Sequence, residues 1–145
     1  MQTHRPTGRL AAIVRVDNFQ SPVSIESGRY ILVVASEKPA VDLGIKTARA
    51  WIDAGASYVC AWGPDSEEVE ESFDYASILP GCGEELPFTL LTTAHKDEPI
   101  EEALWFAFNC AKYPDSESEP NAVVIVVDSD ALEMRCRDWL ESNTE

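Results

Sequence analysis

The stretches YILVVA at Tyr30–Ala35 and AVVIVV at Ala122–Val127 decide the fold of this chain. Both are continuous apolar runs of six residues rich in β-branched side chains, a composition that favours β-strands. Because the apolar residues are continuous rather than alternating, both faces of each strand are expected to be buried. That pattern is typical of a parallel sheet with helices on both of its faces.

Two further apolar runs and the patterns between them extend this prediction along the chain. Strands are predicted at Tyr58–Trp62 and Phe88–Thr92, with an additional edge strand at Leu10–Val16. Apolar residues spaced three or four apart predict a helix after each of the four main runs, and Gly55 is expected to cap the first helix. We therefore expect a three-layer α/β fold with a mainly parallel sheet of four or five strands, of the Rossmann-like or flavodoxin-like kind.

The order of the strands is predicted only by analogy with that fold class. It places the Tyr58 run at one edge, followed by the runs that begin at Tyr30, Phe88 and Ala122. Ligands of such sheets bind at the carboxyl ends of the strands, so the residues that follow each run are the ones to inspect for chemistry.

Length and composition indicate one globular domain. The chain has 145 residues, 45% apolar and 26% charged, which is average for a domain with its own core. We expect a single α/β domain over residues 1–145, with a flexible tail at residues 1–9 and a mobile surface loop at Pro114–Pro120. The chain has no apolar run of the roughly 18 residues that a membrane helix needs, and the amino terminus lacks the apolar segment of a signal peptide. These features predict a cytoplasmic protein.

The cysteines indicate neither a zinc site nor a redox motif. Cys60, Cys82, Cys110 and Cys136 lie far apart, without a C-x-x-C pair or a neighbouring histidine. All except Cys82 fall within apolar strand or helix patterns and are predicted to be small core side chains. Cys82, in the turn at residues 80–83, is expected to contact solvent.

The negative charge is concentrated in the second half of the chain. Residues 1–63 hold seven basic and five acidic side chains, whereas residues 64–145 hold four basic and 21 acidic ones, a net charge of -17. Such a surface repels nucleic acid and anionic membranes, which are recognised through lysine and arginine. Basic proteins or divalent cations are therefore the expected partners.

The residues that follow the predicted strands are acidic, which disfavours a nucleotide cofactor. The chain has no glycine-rich phosphate loop and instead places Asp65, Asp97 and Asp130 at these positions, where they would repel phosphate. Together with Asp128 they resemble the oxygen ligands of Mg²⁺ sites, so a magnesium-dependent or hydrolytic enzyme is one interpretation.

Helix capping is the competing interpretation of the same acids. Asp65 with Glu68, and Asp130 with Glu133, have the spacing of a capping box, and Asp97 precedes a proline early in a predicted helix. We predict that these carboxylates are caps rather than metal ligands, and that the chain has no metal site and no cofactor.

A catalytic triad is a further alternative with little support in the sequence. His95 follows a predicted strand and could act as a general base with Ser36 and Asp128. A G-x-S-x-G nucleophile elbow is missing around Ser36, and a single loop histidine is usually a polar surface group. We therefore assign no catalytic residue.

The third predicted helix has more apolar surface than one stripe can bury. Its segment Leu104–Phe108, LWFAF, is apolar almost all the way round, because Trp105 and Phe106 lie off the core-facing stripe. The helix is either packed centrally or presents an aromatic anchor beside Glu101 and Glu102, the composition of a protein interface with an acidic rim.

Two motifs connect the chain with a known family. The segments YVCAWGPD at Tyr58–Asp65 and HKDEPIEEALWF at His95–Phe106 resemble those of a family of small bacterial proteins that is classed as a domain of unknown function. The resemblance covers about the middle third of the chain. It implies a bacterial origin, and it implies no activity or catalytic residue.

The leading hypothesis is a non-enzymatic acidic binding protein of the immunity-protein or inhibitor type, which neutralises a basic partner such as a bacterial toxin or nuclease. Its alternatives are the magnesium-dependent or hydrolytic enzyme and an α/β domain of unknown role that forms a homodimer through the third helix. A solvated, solubilising acidic surface would have the same composition. The predicted contact residues are Glu67, Glu68, Glu70, Glu71, Asp74, Glu101, Glu102, Trp105 and Phe106.

Overall fold

The computed structural model describes residues 9–26, 28–39, 41–79, 81, 83–111 and 122–143. The strands in this part of the chain are β1 (Leu10–Arg15), β2 (Tyr30–Ala35), β3 (Ala56–Trp62), β4 (Leu91–His95) and β5 (Ala122–Val127). The helices are α1 (Ile45–Ala54), α2 (Ser66–Ile78), α3 (Ile100–Asn109) and α4 (Asp130–Ser142). The predicted three-layer α/β fold is confirmed.

All five strands are parallel and form one sheet in the order β1-β5-β2-β3-β4. β2 pairs with β5 from Ile31 opposite Val123 to Ala35 opposite Val127. The chain passes from β2 outward to β3 and β4, and then returns to β5 on the other side of β2. The direction of winding therefore reverses between β2 and β5. This is the topological switch point, where crevices open in sheets of this kind.

The predicted strand order is wrong, because it placed the Ala122 run at an edge and the Phe88 run inside the sheet. In the structure all six residues of β5 are buried between β1 and β2, whereas four of the five residues of β4 are only partly buried at the opposite edge. A strand with two apolar faces gains most from a central position, where helices cover both faces. The more polar β4 loses less by lying at the edge.

Helices cover both faces of the sheet. α1 and α2 pack on one face, in a core that includes Trp51 and Phe73, and α3 and α4 pack on the other, in a core that includes Leu104 and Phe108. Right-handed crossovers explain this division. From β2 through β3 to β4 the chain moves along the sheet in one direction, and from β4 to β5 it moves in the opposite direction, so the connecting helices lie on opposite faces. The β1–β2 connection lies on the α1 side, where the indole Nε1 of Trp51 donates a hydrogen bond to the carbonyl oxygen of Phe19 at 2.8 Å.

The strand boundaries agree with the sequence patterns at β2 and β5 and differ elsewhere: β3 begins at Ala56, two residues before the predicted Tyr58, and β1 ends one residue early at Arg15. β2 and β5 begin and end at the predicted residues, and Gly55 caps α1 with a φ of +143°. β4 begins at Leu91 rather than at Phe88. The Phe88 ring instead lies against the guanidinium group of Arg29, 4.2 Å from it. The apolar character of Phe88 thus reflects a packing contact outside the sheet.

Two cysteines occupy the core, as predicted, and one does not. Cys60 and Cys136 are buried, and their burial raises the pKa of each thiol to about 12. Cys110, also predicted to be buried, is exposed, because it follows the last residue of α3 at the helix cap. Cys82 lies outside the described residues.

The described chain begins with a buried arginine. Arg9, expected to belong to a flexible tail, is buried, and its Nη1 donates a hydrogen bond to the carbonyl oxygen of Ala107 at 2.7 Å. Residues 1–8 and the predicted loop Pro114–Pro120 lie outside the described residues. Among the helices described, none is both long enough and apolar enough to cross a membrane.

Candidate functional site

Three polar residues and one glycine follow or end four adjacent strands at the carboxyl edge of the sheet. Ser36 follows β2, Gly63 follows β3, His95 ends β4 and Asp128 follows β5. Because the strands are parallel, all four residues lie at the same edge, which is the usual ligand-binding side of such folds.

Ser36 and Asp128 form a buried pair at the switch point. Ser36 is 3% exposed and Asp128 6% exposed, and the Ser36 hydroxyl donates a hydrogen bond to Oδ2 of Asp128 at 2.7 Å. The ammonium group of Lys38 lies 3.7 Å from the same oxygen. The other carboxylate oxygen, Oδ1, is buried and has no hydrogen-bond partner in the part of the chain that the structure describes. The pair joins the ends of two neighbouring central strands.

The turn after β3 passes very close to the end of β2. Gly63 has a φ of +120°, and a Cβ atom at this position would lie 1.9 Å from the carbonyl oxygen of Ser36. Only glycine fits such a turn. The Gly63 N–H donates a hydrogen bond to the carbonyl oxygen of His95, and Oδ2 of Asp65 accepts one from the N–H of Val41 at 2.8 Å. The segment around Gly63 therefore ties the ends of β2, β3 and β4 together.

The predicted capping boxes are wrong. Asp65 is the residue before α2, but its side chain makes no hydrogen bond to that helix. α4 is capped by Ser129, whose hydroxyl accepts a hydrogen bond from an N–H of the first turn at 3.2 Å, while Asp130 pairs with Arg15 at 3.1 Å. Asp97 lies two residues before the cap of α3 and does not occupy it. Two of these carboxylates are bound by groups distant in the sequence and not by helix amides. Asp65 accepts from the N–H of Val41, and Asp130 pairs with Arg15 of β1.

The acids of the alternative magnesium site do not converge on one point. Asp65, Asp128 and Asp130 each have a different partner: a backbone N–H, a serine hydroxyl and an arginine. Within the described ranges, no group of three or more histidine, cysteine, aspartate and glutamate side chains is placed to hold a metal ion.

His95 belongs to a local cluster and not to a triad. It is buried, with its Nδ1 hydrogen-bonded to the Glu98 carboxylate and its Nε2 at 2.8 Å from the Thr93 hydroxyl. The strand order places His95 two strands away from Ser36 and three away from Asp128, or about 10 and 14 Å at roughly 4.8 Å per strand. The structure thus brings Ser36 and Asp128 together without the histidine.

Five of the predicted contact residues share one helix and form a surface that we name the α2 acidic face: Glu67, Glu68, Glu70, Glu71 and Asp74. The core-facing side chains of this helix are Val69, Phe73 and Ala76. On the opposite side, Glu67, Glu71, Asp74 and Ile78 follow one another at helical spacings of four, three and four residues, and so form one outward row. At 1.5 Å per residue this row is about 16 Å long.

The charges of the α2 acidic face are poorly compensated. In the described part of the chain, one ion pair reaches these residues, between Glu67 and Lys96 at 3.7 Å. Partial burial, followed by the repulsion of the Asp74 and Glu67 carboxylates, raises the pKa of Glu70. Repulsion by neighbouring carboxylates is thus the second cause of the raised pKa, after burial.

The α3 residues lie on the other face of the sheet. Both carboxylate oxygens of Glu101 accept hydrogen bonds from Arg135 of α4, at 2.7 and 3.1 Å, and this bidentate contact lowers the pKa of Glu101. Glu102 and Trp105 are exposed, the latter by 51%. The nine predicted contact residues are therefore divided between two opposite helical layers.

Phe106 is partly buried and packs against the core. Its ring packs against Tyr58 at 6.3 Å and against His95 at 5.1 Å between ring centroids. Of the two aromatic side chains proposed as anchors, Trp105 is thus the exposed one, because Phe106 lies on the side of α3 that faces β3 and β4.

The sequence analysis missed three exposed apolar residues at the end of α2. Tyr75, Ile78 and Leu79 are 44%, 72% and 39% exposed. Ile78 also borders two crevices of about 370 and 460 Å³ between α2 and the segment that precedes β4. The signal was present in the sequence, since Ile78 lies four residues after Asp74 and seven after Glu71, on the polar side of the helix.

A second missed feature is a crevice at the carboxyl edge, which we name the switch-point crevice. It has a volume of about 170 Å³ and is lined by Asp17, Asn18, Lys38, Asp42 and Asp128 together with apolar neighbours. Its residues come from three separate segments, so no local pattern in the sequence indicates it.

Comparison with known proteins identifies a family and no characterised relative. The model of one protein family, described as Domain of unknown function (DUF7684), matches residues 9–143. Neither a curated protein nor a solved structure matches the chain.

Proposed function

We propose that this chain, which belongs to the DUF7684 family of domains of unknown function, is a non-enzymatic cytoplasmic binding protein of the immunity-protein or inhibitor type. Its partner is a basic protein, such as a bacterial toxin or nuclease, and the α2 acidic face is the contact surface. The observation that carries the proposal is an outward row of carboxylates that ends in exposed apolar side chains on the same helix.

The electrostatics of this surface favour a basic partner. Its five carboxylates have one ion-pair partner, Lys96, within the described residues. Burial and like-charge repulsion raise the pKa of Glu70, so a lysine or arginine brought close to it would relieve an existing repulsion. Opposite charges also steer the two proteins together and raise the association rate.

The apolar end of α2 adds a second property of a binding surface. Interfaces commonly combine exposed aromatic or aliphatic anchors with a polar rim. On α2, the exposed Tyr75 lies one helical turn after Glu71, and the exposed Ile78 lies one turn after Asp74. Each apolar side chain therefore has a carboxylate beside it. Carboxylates spaced along a helix can also occupy a groove that binds nucleic-acid phosphates, which would explain inhibition of a nuclease.

The experiment is affinity capture from a lysate of the source cells with wild-type protein and two charge variants, at low and at high salt. The test variant changes Glu67, Glu68, Glu70 and Glu71 to glutamine. The control variant removes the same number of charges from exposed positions elsewhere: Glu26, Glu37, Asp138 and Glu141, each replaced by its amide. The retained protein is then purified, and its own activity is assayed with each variant.

We expect wild type and the control variant to retain the same basic protein at low salt, and high salt to release it. The test variant should not retain it. Stoichiometric inhibition of that protein by wild type, but not by the test variant, would support the inhibitor role. Equal retention by both variants would mean nonspecific attraction to a net charge of -15 and would refute the proposal. A chain that only associates with itself would favour the homodimer alternative, in which the exposed Trp105 is the natural contact.

A further inference from the structure

We propose that the switch-point crevice binds a small organic cation whose ammonium group contacts Asp128. This inference does not depend on the proposed function, because the crevice lies between the ends of β2 and β5, whereas the α2 acidic face points outward from the other edge of the sheet. Three observations support it: an unpaired buried oxygen, the charge of the lining residues, and a lysine that already occupies part of the site.

The unpaired oxygen belongs to Asp128. This side chain is 5% exposed, and its Oδ2 accepts a hydrogen bond from Ser36, whereas its Oδ1 has no partner among the described residues. A buried carboxylate oxygen without a donor costs free energy comparable to a lost charged hydrogen bond. This oxygen is itself closed to solvent, so a donor can approach the carboxylate only after Lys38 moves aside. A ligand that donates hydrogen bonds would gain from that approach.

The charge of the crevice selects a cation. Three carboxylates line it, from Asp17, Asp42 and Asp128, against the ammonium group of Lys38. The Asp17 carboxylate also lies 3.9 Å from the guanidinium group of Arg15, and the balance of charge remains negative. An anionic ligand would be repelled by this lining. A metal ion is also disfavoured, because these three carboxylates do not form a group that could hold one, nor does any other such set among the described residues. The site therefore favours a ligand that is positively charged and donates hydrogen bonds. An organic ammonium group has both properties, since it carries one positive charge and donates up to three hydrogen bonds.

The position of Lys38 indicates how an ammonium group would contact Asp128. Its ammonium group lies 3.7 Å from Oδ2 of Asp128, which shows that this carboxylate accepts an ammonium group from the crevice side. The Lys38 side chain is 61% exposed and therefore has room to move away. A ligand would replace it at the carboxylate and would extend into the crevice, whose 170 Å³ equals the volume of about five or six water molecules. A ligand of about six heavy atoms is the expected size.

The probe for this site is putrescine (1,4-diaminobutane), with the uncharged 1,4-butanediol as its isosteric control. Binding is followed by amide chemical shifts of the full chain during titration at constant ionic strength. Putrescine should bind saturably and shift the amides of Asn18 and Lys38, whereas the diol should leave them unchanged. Asp128→Asn should weaken binding about tenfold, since it removes one charged hydrogen bond.

Two further variants test the site without disturbing the buried pair. Lys38→Ala should strengthen putrescine binding several-fold, because it removes the competing ammonium group. Asp42→Asn, at the exposed rim, should weaken binding several-fold, while Glu141→Gln on α4 should leave it unchanged. The proposal is overturned if putrescine does not bind saturably, if Lys38→Ala leaves the affinity unchanged, or if Glu141→Gln weakens binding as much as Asp42→Asn does.

Discussion

Replacing Ser36 by alanine tests whether the buried pair at the switch point stabilises the sheet. The substitution removes the hydroxyl that donates to Oδ2 of Asp128 at 2.7 Å and accepts a weaker hydrogen bond from the Lys38 N–H at 3.1 Å, and it leaves a space the size of one oxygen atom. The Asp128 carboxylate stays buried, and its remaining neighbour is the ammonium group of Lys38 at 3.7 Å. Because β2 and β5 are adjacent central strands, loss of this contact weakens the middle of the sheet.

The expected loss of unfolding free energy is about 2 kcal/mol. A hydrogen bond to a buried charged group contributes roughly 1.5–3 kcal/mol, and the lower half of that range applies because Lys38 can approach more closely. With a urea dependence of about 2 kcal/mol per molar, the unfolding midpoint should fall by about 1 M. The double variant with Asp128→Asn should be less destabilised than the sum of the two single variants, because both weaken the same contact.

Equilibrium urea unfolding followed by tryptophan fluorescence measures this effect. Ser77→Ala is the matched control, since its hydroxyl donates to the carbonyl oxygen of Asp74 at 2.7 Å on an exposed part of α2. That control should lose less than about 0.5 kcal/mol. If Ser36→Ala changes stability no more than Ser77→Ala does, the assignment of Ser36 and Asp128 as a stabilising pair is refuted.

Two further predictions concern the turn after β3 and the contact between α3 and α4. Gly63→Ala should destabilise the protein by about 3 kcal/mol or more, because the new Cβ would lie 1.9 Å from a carbonyl oxygen at a φ of +120°. Gly81→Ala, where a Cβ meets nothing within 4 Å, should be nearly neutral in the same thermal unfolding experiment, and equal effects would contradict the steric argument. The lowered pKa of Glu101 means that its pairing with Arg135 stabilises the folded state above the unfolded-state pKa of about 4.3, and that this contribution is lost as the pH falls through the lower folded-state value. Glu101→Gln should therefore reduce stability at pH 7 by less than about 1 kcal/mol, since the pair is partly exposed, and its difference from wild type should disappear at lower pH; a difference independent of pH would contradict this.

The sequence alone predicts the parts of this protein that depend on local properties. Burial of both strand faces follows from AVVIVV at β5, the end of α1 follows from Gly55, and the core stripe of α2 follows from the spacing of Val69, Phe73 and Ala76. Each of these depends on the periodicity of neighbouring residues or on the backbone freedom of glycine. The acidic row on the outside of α2 is predicted for the same reason, because residues three and four apart share a helix face.

Tertiary structure alone decides which distant segments meet. The sequence shows Ser36, Lys38 and Asp128 as three polar residues after two strands, and only the placement of β5 beside β2 turns them into a buried pair beside a crevice. The capping predictions fail for the same reason, because Val41 and Arg15 compete for carboxylates that local spacing had assigned to helix amides. The physical reason is that hydrogen bonds and ion pairs depend on distances in space, which the winding of the chain around the sheet determines and local periodicity does not contain.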